Sequence, residues 1–350
     1  MAAAGLLSIF GGAKRALTGS AKASQLFAQT SPEVDGEACE HDCDSCTVKY
    51  PRNFKIEQTH PLYGNIKPWS THVIVATSKS DWVRSVEDEK GSVMEAFGHA
   101  SKPSNGRLML SASNISTPSN RPDYSEPTSI LVLPAFTIVE NVTPPAVPSL
   151  VTKYISKAPT TSDPLTPSAP LPSTISSRAG DMTAKPCPHR AVVLLCSHRT
   201  RDARCGQSAP LIKKELERHL RALGLDRDLD DERPGGVGIY FINHVGGHKY
   251  SANMMVYRRP DAFGIDHVER AKLPPGQEPQ LVKPTVVGEG GEEGGEEKGV
   301  VGAAQCIWLA RVRPEDCENI VKYTILQGKV VKGDKQLRGG FDRGTGMMSW

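Results

Sequence analysis

Between Cys196 and His248 the chain sets two pairs of metal-binding side chains on either side of one helix-length segment. Cys196 and Cys205 bracket CSHRTRDARC, and His244 and His248 bracket HVGGH. Each pair follows an apolar run, AVVLL at 191–195 and VGIYFI at 237–242, whose length and β-branching mark buried strands. Two thiolates and two imidazoles at the ends of neighbouring strands make a four-donor metal site that closes only through tertiary structure. The spacing narrows the chemistry. A zinc finger keeps its cysteines two to four residues apart and carries its histidines on a helix. Here eight residues separate the cysteines, and Gly246 and Gly247 sit between the histidines. No glutamate follows His244, so the pair is not a helical HExxH either. Loops this wide suit a larger inorganic core.

Around that stretch the second half reads β, α, β, β, α. The strand at 191–195 runs into Cys196. A helix is expected with Ser208 as its cap, Pro210 in its first turn, Ile212, Leu216, Leu220 and Leu223 down one face, and Gly224 at its end. Strands follow at 237–242, from 253 to 257 and from 306 to 312, and Pro314 to Gly328 bounds a last helix. His198 is the rival ligand inside the cysteine loop, read as lying beside the site because the histidine pair already completes four donors. Arg199, Arg201 and Arg204 either steer an anionic partner, hydrogen-bond near the site, or stand as solvated charge. Cys187 and His189 precede the strand that positions Cys196, and Cys306 and Cys317 read as small buried residues.

The rest divides by composition. Residues 1–32 hold Lys14, Arg15 and Lys22 and no acid, with Leu6, Leu7, Ile9, Phe10 and Leu17 able to share a helical face; they read as a mitochondrial presequence or a disordered tail. Residues 37–157 are expected to form an N-terminal α/β domain. Its strands lie near 72–77, 108–110 and 130–133, and Asp81 caps a helical run through Trp82, Val86, Val93, Met94 and Phe97. The same stretch carries the cysteine cluster Cys39, Cys43 and Cys46. Those thiols can hold a metal with His41 or exchange disulfides, and a zinc ribbon lacks its second pair of ligands. Residues 158–185, rich in Pro, Ser and Thr, read as a tether, and 274–299, with its Gly/Glu run, as a solvated excursion. Residues 339–350 read as a flexible tail. The fold class is therefore α/β, two small α/β domains.

Eight cysteines in 350 residues, three crowded near the N-terminus, do not make a disulfide scaffold. A formal net charge of +3, scattered and without interleaved aromatics, excludes a nucleic-acid binder. No apolar run reaches the roughly 20 residues that cross a bilayer.

The motifs C-x8-C at Cys196 and Cys205, HVGGH with Lys249 and Tyr250 after it, and WLARVRPED from Trp308 resemble the thioredoxin-like ferredoxins of the fungal sucrase/ferredoxin-like family. The presequence points to the altered-inheritance-of-mitochondria branch. The resemblance covers the second domain, residues 186–338, and the first only loosely. It implies a 2Fe-2S cluster with Cys196 and Cys205 on one iron and His244 and His248 on the other, in an electron carrier or redox sensor without a substrate pocket of its own. Imidazole in place of thiolate implies a raised potential and coupling of electron transfer to pH. The terminal Met348-Ser349-Trp350 resembles the tail by which some clients engage the cytosolic iron–sulfur targeting complex. Expected partners are thus redox proteins and that assembly machinery. The expected location is mitochondrial, in the matrix or intermembrane space, with the cytosol as alternative. Two other readings stand beside this one: a thiol–disulfide oxidoreductase working through Cys39, Cys43 and Cys46, and a structural zinc module for protein interaction.

Overall fold

In the computed structural model, which describes residues 22–260, 262–264 and 301–350, the two α/β units share one sheet. The first unit runs β1 (Thr71–Ala76), α1 (Val93–His99), β2 (Leu108–Ser113), β3 (Thr128–Leu133), β4 (Thr137–Val142) and α2 (Val147–Lys153), with β5 (Thr174–Ile175) and β6 (Met182–Pro186) at its edge. The second runs β7 (Ala191–Cys196), α3 (Ala203–Ala222), β8 (Asp226–Arg227), β9 (Val237–Ile242), β10 (Met254–Arg258) and β11 (Gln305–Leu309). It continues through α4 (Cys317–Asn319, then a π-helix over Ile320–Ile325), β12 (Leu337–Asp342) and β13 (Met347–Met348). The spatial order is β13-β12-β11-β10-β7-β9-β2-β1-β3-β4-β6-β5, with β8 beside β9.

That order is a palindrome about the β2–β9 seam. β1 pairs parallel with β2 and antiparallel with β3, as β7 does with β9 and β10. The registers match residue for residue: Ala76 stands opposite Ser113 where Cys196 stands opposite Ile242. At the seam Ser113 pairs with Ile242, Asn114 N–H donates to Phe241 O, and Asn243 N–H donates to Ala112 O. The two units are therefore topological repeats joined edge to edge, and the first has alanine where the second has its first cysteine.

Apolar residues on both faces of these strands build three cores. Val193, Leu195, Ile239 and Met254 pack on Ile212, Leu216 and Leu220 of α3. Val73, Val75, Ile130 and Val132 pack on Met94 and Leu150. On the opposite face Trp69, Ile74, Leu194, Tyr257, Trp308 and Phe341 form a core that crosses both units. No helix among the described residues is long and apolar enough to cross a membrane.

Several boundaries differ from the sequence reading. Residues 158–185 do not run free as a tether: β5 and β6 extend the sheet, Ile175 and Met182 are buried, and Thr161 donates to Trp69 O at 2.6 Å. Pro, Ser and Thr are tolerated there because an edge strand leaves one row of backbone groups unpaired. Residues 22–32, placed in a presequence or tail, bury Leu26 and Phe27 in the α3 core, and Thr30 N–H donates to Val330 O; residues 1–21 lie outside those described. The cysteine cluster, placed with the first domain, lies on the second unit instead, where Cys43 N–H donates to Glu315 O and Tyr50 OH to Val312 O. Residues 339–350 are not a loose tail, since Gly340 N–H donates to Ser349 Oγ at 2.9 Å and the Trp350 ring lies 4.6 Å from Trp69. Asp81 caps no helix; Ser92 caps α1, and Asp81 accepts from Thr200. The excursion at 274–299 lies outside the described residues.

Candidate metal centre

Cys196 is the last residue of β7, where its amide donates to Asn253 O and ties it to the start of β10. Cys205 lies in the first turn of α3, because the helix begins earlier than Ser208 predicts. Asp202 is the cap, its carboxylate accepting from Arg204 N–H at 2.9 Å, and Ser208 is a buried residue facing Ser251 Oγ at 3.2 Å. Asp and Ser cap helices about equally well, and the carboxylate adds a favourable charge at the positive end of the helix dipole. That places Cys205 where unpaired amides and the helix field favour a thiolate.

His244 and His248 follow β9 on a loop whose shape requires its glycines. Gly246 has φ 97° and Gly247 φ 71°, in the left-handed region. A Cβ at Gly247 would come within 2.8 Å of the Arg338 guanidinium. Tucked beneath the loop, that guanidinium donates to Gly246 O at 2.9 Å and Asn253 Oδ1 at 2.8 Å, and lies over the Trp308 ring.

The fold brings three of the four expected donors into one group: ligand atoms of Cys196, Cys205 and His244 all lie within 4.8 Å of one another. Cys196 Sγ is 4.0 Å from His244 Nδ1, and His248 Nδ1 is 3.4 Å from His244 Nε2 at the exposed rim. His244 thus turns Nδ1 toward the sulfur and Nε2 toward His248, and because one ring nitrogen serves one ion, a centre shared by all four donors needs that ring to turn. The two sulfurs are buried and the two rings are partly open to solvent, a graded exposure that fits a centre with one thiolate end and one imidazole end.

The electrostatics suit a thiolate at Cys205. Hydrogen bonds from the Cys196 thiol, the His244 ring and the Ser251 hydroxyl bring Cys205 down to about 5. Cys196 is held up by that same neighbour and by burial, while the amides of His198 and Val245 favour its thiolate. His198 is no ligand here. Its Nδ1 accepts from His244 N–H at 3.2 Å, so its proton sits on Nε2, which donates to Trp82 O at 3.0 Å. His198 thus holds the backbone of the histidine loop to the first unit, an assignment that spacing alone does not reveal. Of the loop arginines, Arg204 is paired with Asp202 and Arg201 donates to Arg84 O.

Comparison with known proteins decides the family. The profile described as Sucrase/ferredoxin-like matches residues 62–339. The chain belongs to the sucrase/ferredoxin-like family. Its similarity to Actin patches distal protein 1 of Saccharomyces cerevisiae is 31% identity over 68% of this chain and 81% of that one. Altered inheritance of mitochondria protein 32 of Clavispora lusitaniae is 28% identical over 41% of this chain and 33% of its own length. The protein of the same name from Debaryomyces hansenii is 26% identical over 40% and 33%. No solved structure matches the chain. The family match spans both units of the repeat, and so reaches well beyond the second domain, to which the sequence resemblance was strongest.

Next to the histidine loop lies a cleft of about 920 Å³, lined in part by Lys67, Lys102, Arg107, His244 and Arg338. No sequence signal marks it, because its walls come from separate segments of both units. Burial pushes Cys39 and Cys46 up, the reverse of what a nucleophilic thiol requires.

Proposed function

We propose that this member of the sucrase/ferredoxin-like family carries a 2Fe-2S cluster on Cys196, Cys205, His244 and His248 and acts in electron transfer or redox sensing. The observation that carries the reading is the gathering of two thiols and an imidazole within 4.8 Å, with a second imidazole 3.4 Å from the first. Such a cluster supplies one-electron chemistry. The chain's own residues do the rest. The Ser251 hydroxyl donates to Cys205 Sγ at 3.6 Å, which draws charge from that sulfur. The buried Arg338 cation offsets negative charge at the site. Asp202, 3.9 Å from His248 Nε2, sets a carboxylate charge beside that ring.

The cleft beside His244 gives a redox partner protein a route to the imidazole end, and its lysines and arginines favour an acidic one. Mitochondrial residence, in the matrix or intermembrane space, is part of the same proposal. The names of two relatives and the acid-free residues 1–21, with Lys14 and Arg15, support it. Docking of the iron–sulfur assembly machinery on Met348-Ser349-Trp350 requires that Trp350 leave Trp69.

The test is an absorption and EPR spectrum of anaerobically purified protein, with iron and acid-labile sulfide counted. Equimolar iron and sulfide in a red-brown protein is the expected result, with His244→Cys and His248→Cys retaining the cluster at a potential lower by on the order of 100 mV. A colourless protein holding zinc at these residues would overturn the proposal.

A further inference from the structure

The sequence CEHDCDSC at 39–46 reads as half of a metal knuckle without its other half. In the fold the missing donors come from much later in the chain. Cys43 Sγ faces His219 Nε2, near the end of α3, at 3.9 Å, and ligand atoms of Cys43, His219 and Glu318 all lie within 4.8 Å of one another. Glu318 stands on α4, and the Cys43 amide is fixed by its bond to Glu315 O at 2.9 Å. Cys46 closes a turn with Cys43, its N–H donating to Cys43 O at 3.3 Å. His41, the partner nearest in sequence, is exposed and absent from the group, and its carbonyl accepts from Asn319 at 2.8 Å.

We propose that Cys43, His219 and Glu318 form a second metal site, for a divalent cation of the zinc class. One sulfur, one nitrogen and one carboxylate oxygen is a set of borderline softness, which suits zinc better than calcium, magnesium or an iron–sulfur core. The three ligands lie on three chain segments, so the ion cross-links the N-terminal segment to α3 and α4. Such a clip stabilises the fold by closing long loops.

Arg218 guards the site. Its guanidinium lies 3.6 Å from Cys43 Sγ and 3.0 Å from His219 Nε2, in the space a cation would share. It also bonds Glu215 at 2.8 Å, and its side chain is 42% exposed. It therefore turns outward when the ion enters, and its charge sets the affinity.

The experiment uses the full chain with its main site loaded and a chromophoric chelator competing for added zinc, while iron and sulfide are counted in the same samples. Wild type takes up one zinc per chain. Cys43→Ser and His219→Ala each weaken binding by about 10- to 100-fold or abolish it, with iron content unchanged, and Arg218→Ala tightens it several-fold. Cobalt in place of zinc gives the intense visible bands of a tetrahedral thiolate site, lost in Cys43→Ser. A wild-type chain that takes up no zinc overturns the proposal, as does a Cys43→Ser chain that binds as tightly as wild type. Should His219→Ala not fold, the exposed Glu318→Gln replaces it, and undiminished affinity there counts equally against the site. The readout is zinc, so it stands or falls apart from the iron count.

Discussion

Asn114 and Asn243 cross the seam between the two units toward each other's strands. Phe241 N–H donates to Asn114 Oδ1 at 2.7 Å, and Ala112 N–H donates to Asn243 Oδ1 at 3.0 Å. Both asparagines stand one residue beyond their strand, where the ladder has run out and an amide would otherwise lack a partner. Replacing either by alanine should cost about 1–3 kcal/mol, the penalty of an orphaned buried donor. The consequences then diverge. Asn243→Ala loosens the residue just before His244 and lowers iron content, whereas Asn114→Ala destabilises equally and leaves iron bound. Chemical denaturation with iron analysis on both variants separates the two; equal iron loss in both would mean that the seam acts only through global stability.

The donor pairs and most strands of the second unit could be read from sequence because each is a local signal: an apolar β-branched run, a fixed spacing, a GG turn. What was not legible depends on contacts across the chain. Asp202 stands as cap in place of Ser208 with the favourable charge it adds at the helix dipole, not by pattern. The buried edge at 174–186 looks like a tether because composition reports what a segment can bury on its own, not what a waiting sheet edge offers it. His198 and His219 are single residues whose partners lie 46 residues and 176 residues away. The repeat leaves no mark in the sequence because its halves share register and topology rather than residues, Ala76 standing where Cys196 does.

Arg338 carries a prediction about potential. Its guanidinium is buried, bonded to Gly246 O and Asn253 Oδ1, and burial lowers its pKa to about 10, so it remains a cation at neutral pH. A fixed positive charge beside the site favours whichever state holds an added electron. Arg338→Gln should lower the midpoint potential by an energy on the order of 1–2 kcal/mol, that of one charge at an effective dielectric near 20. Arg338→Lys, which keeps the charge and loses the forked hydrogen bonds, should lower it less. Spectroelectrochemical titration measures both; equal shifts would assign the effect to loop geometry rather than charge.

Acid sensitivity follows from His72. It is completely buried between Tyr257 OH at 3.0 Å and Ser111 Oγ at 2.8 Å, and burial lowers its pKa from 6.5 to about 3. The unfolded chain takes up a proton near pH 6.5 and the folded chain does not until near pH 3, so stability is full above 6.5 and is lost as the pH falls through that window. The slope is about 1.4 kcal/mol per pH unit for this one group. His189, lowered to about 4 mainly by burial, adds in the same direction. Denaturation midpoints of His72→Gln between pH 7 and pH 4 should start lower than wild type and fall less steeply; an unchanged slope would locate the acid sensitivity elsewhere.

The N-terminal segment makes its own test of where the fold begins. Asp35 and Lys329 form an ion pair at 2.7 Å with both side chains out of solvent, and Ser31 N–H donates to the same carboxylate at 3.1 Å. Asp35→Ala leaves the ammonium buried among groups that cannot neutralise it, a change that costs about 3–5 kcal/mol. Lys329→Met on the same background should recover part of that loss, because the pair's attraction barely exceeds its desolvation. The segment before Tyr50 then becomes the first part of Asp35→Ala to be cut by a protease at low concentration. Were residues 22–35 a removable leader instead, deleting them would leave the denaturation midpoint of the remaining chain unchanged, whereas Leu26 and Phe27 in the α3 core require it to fall.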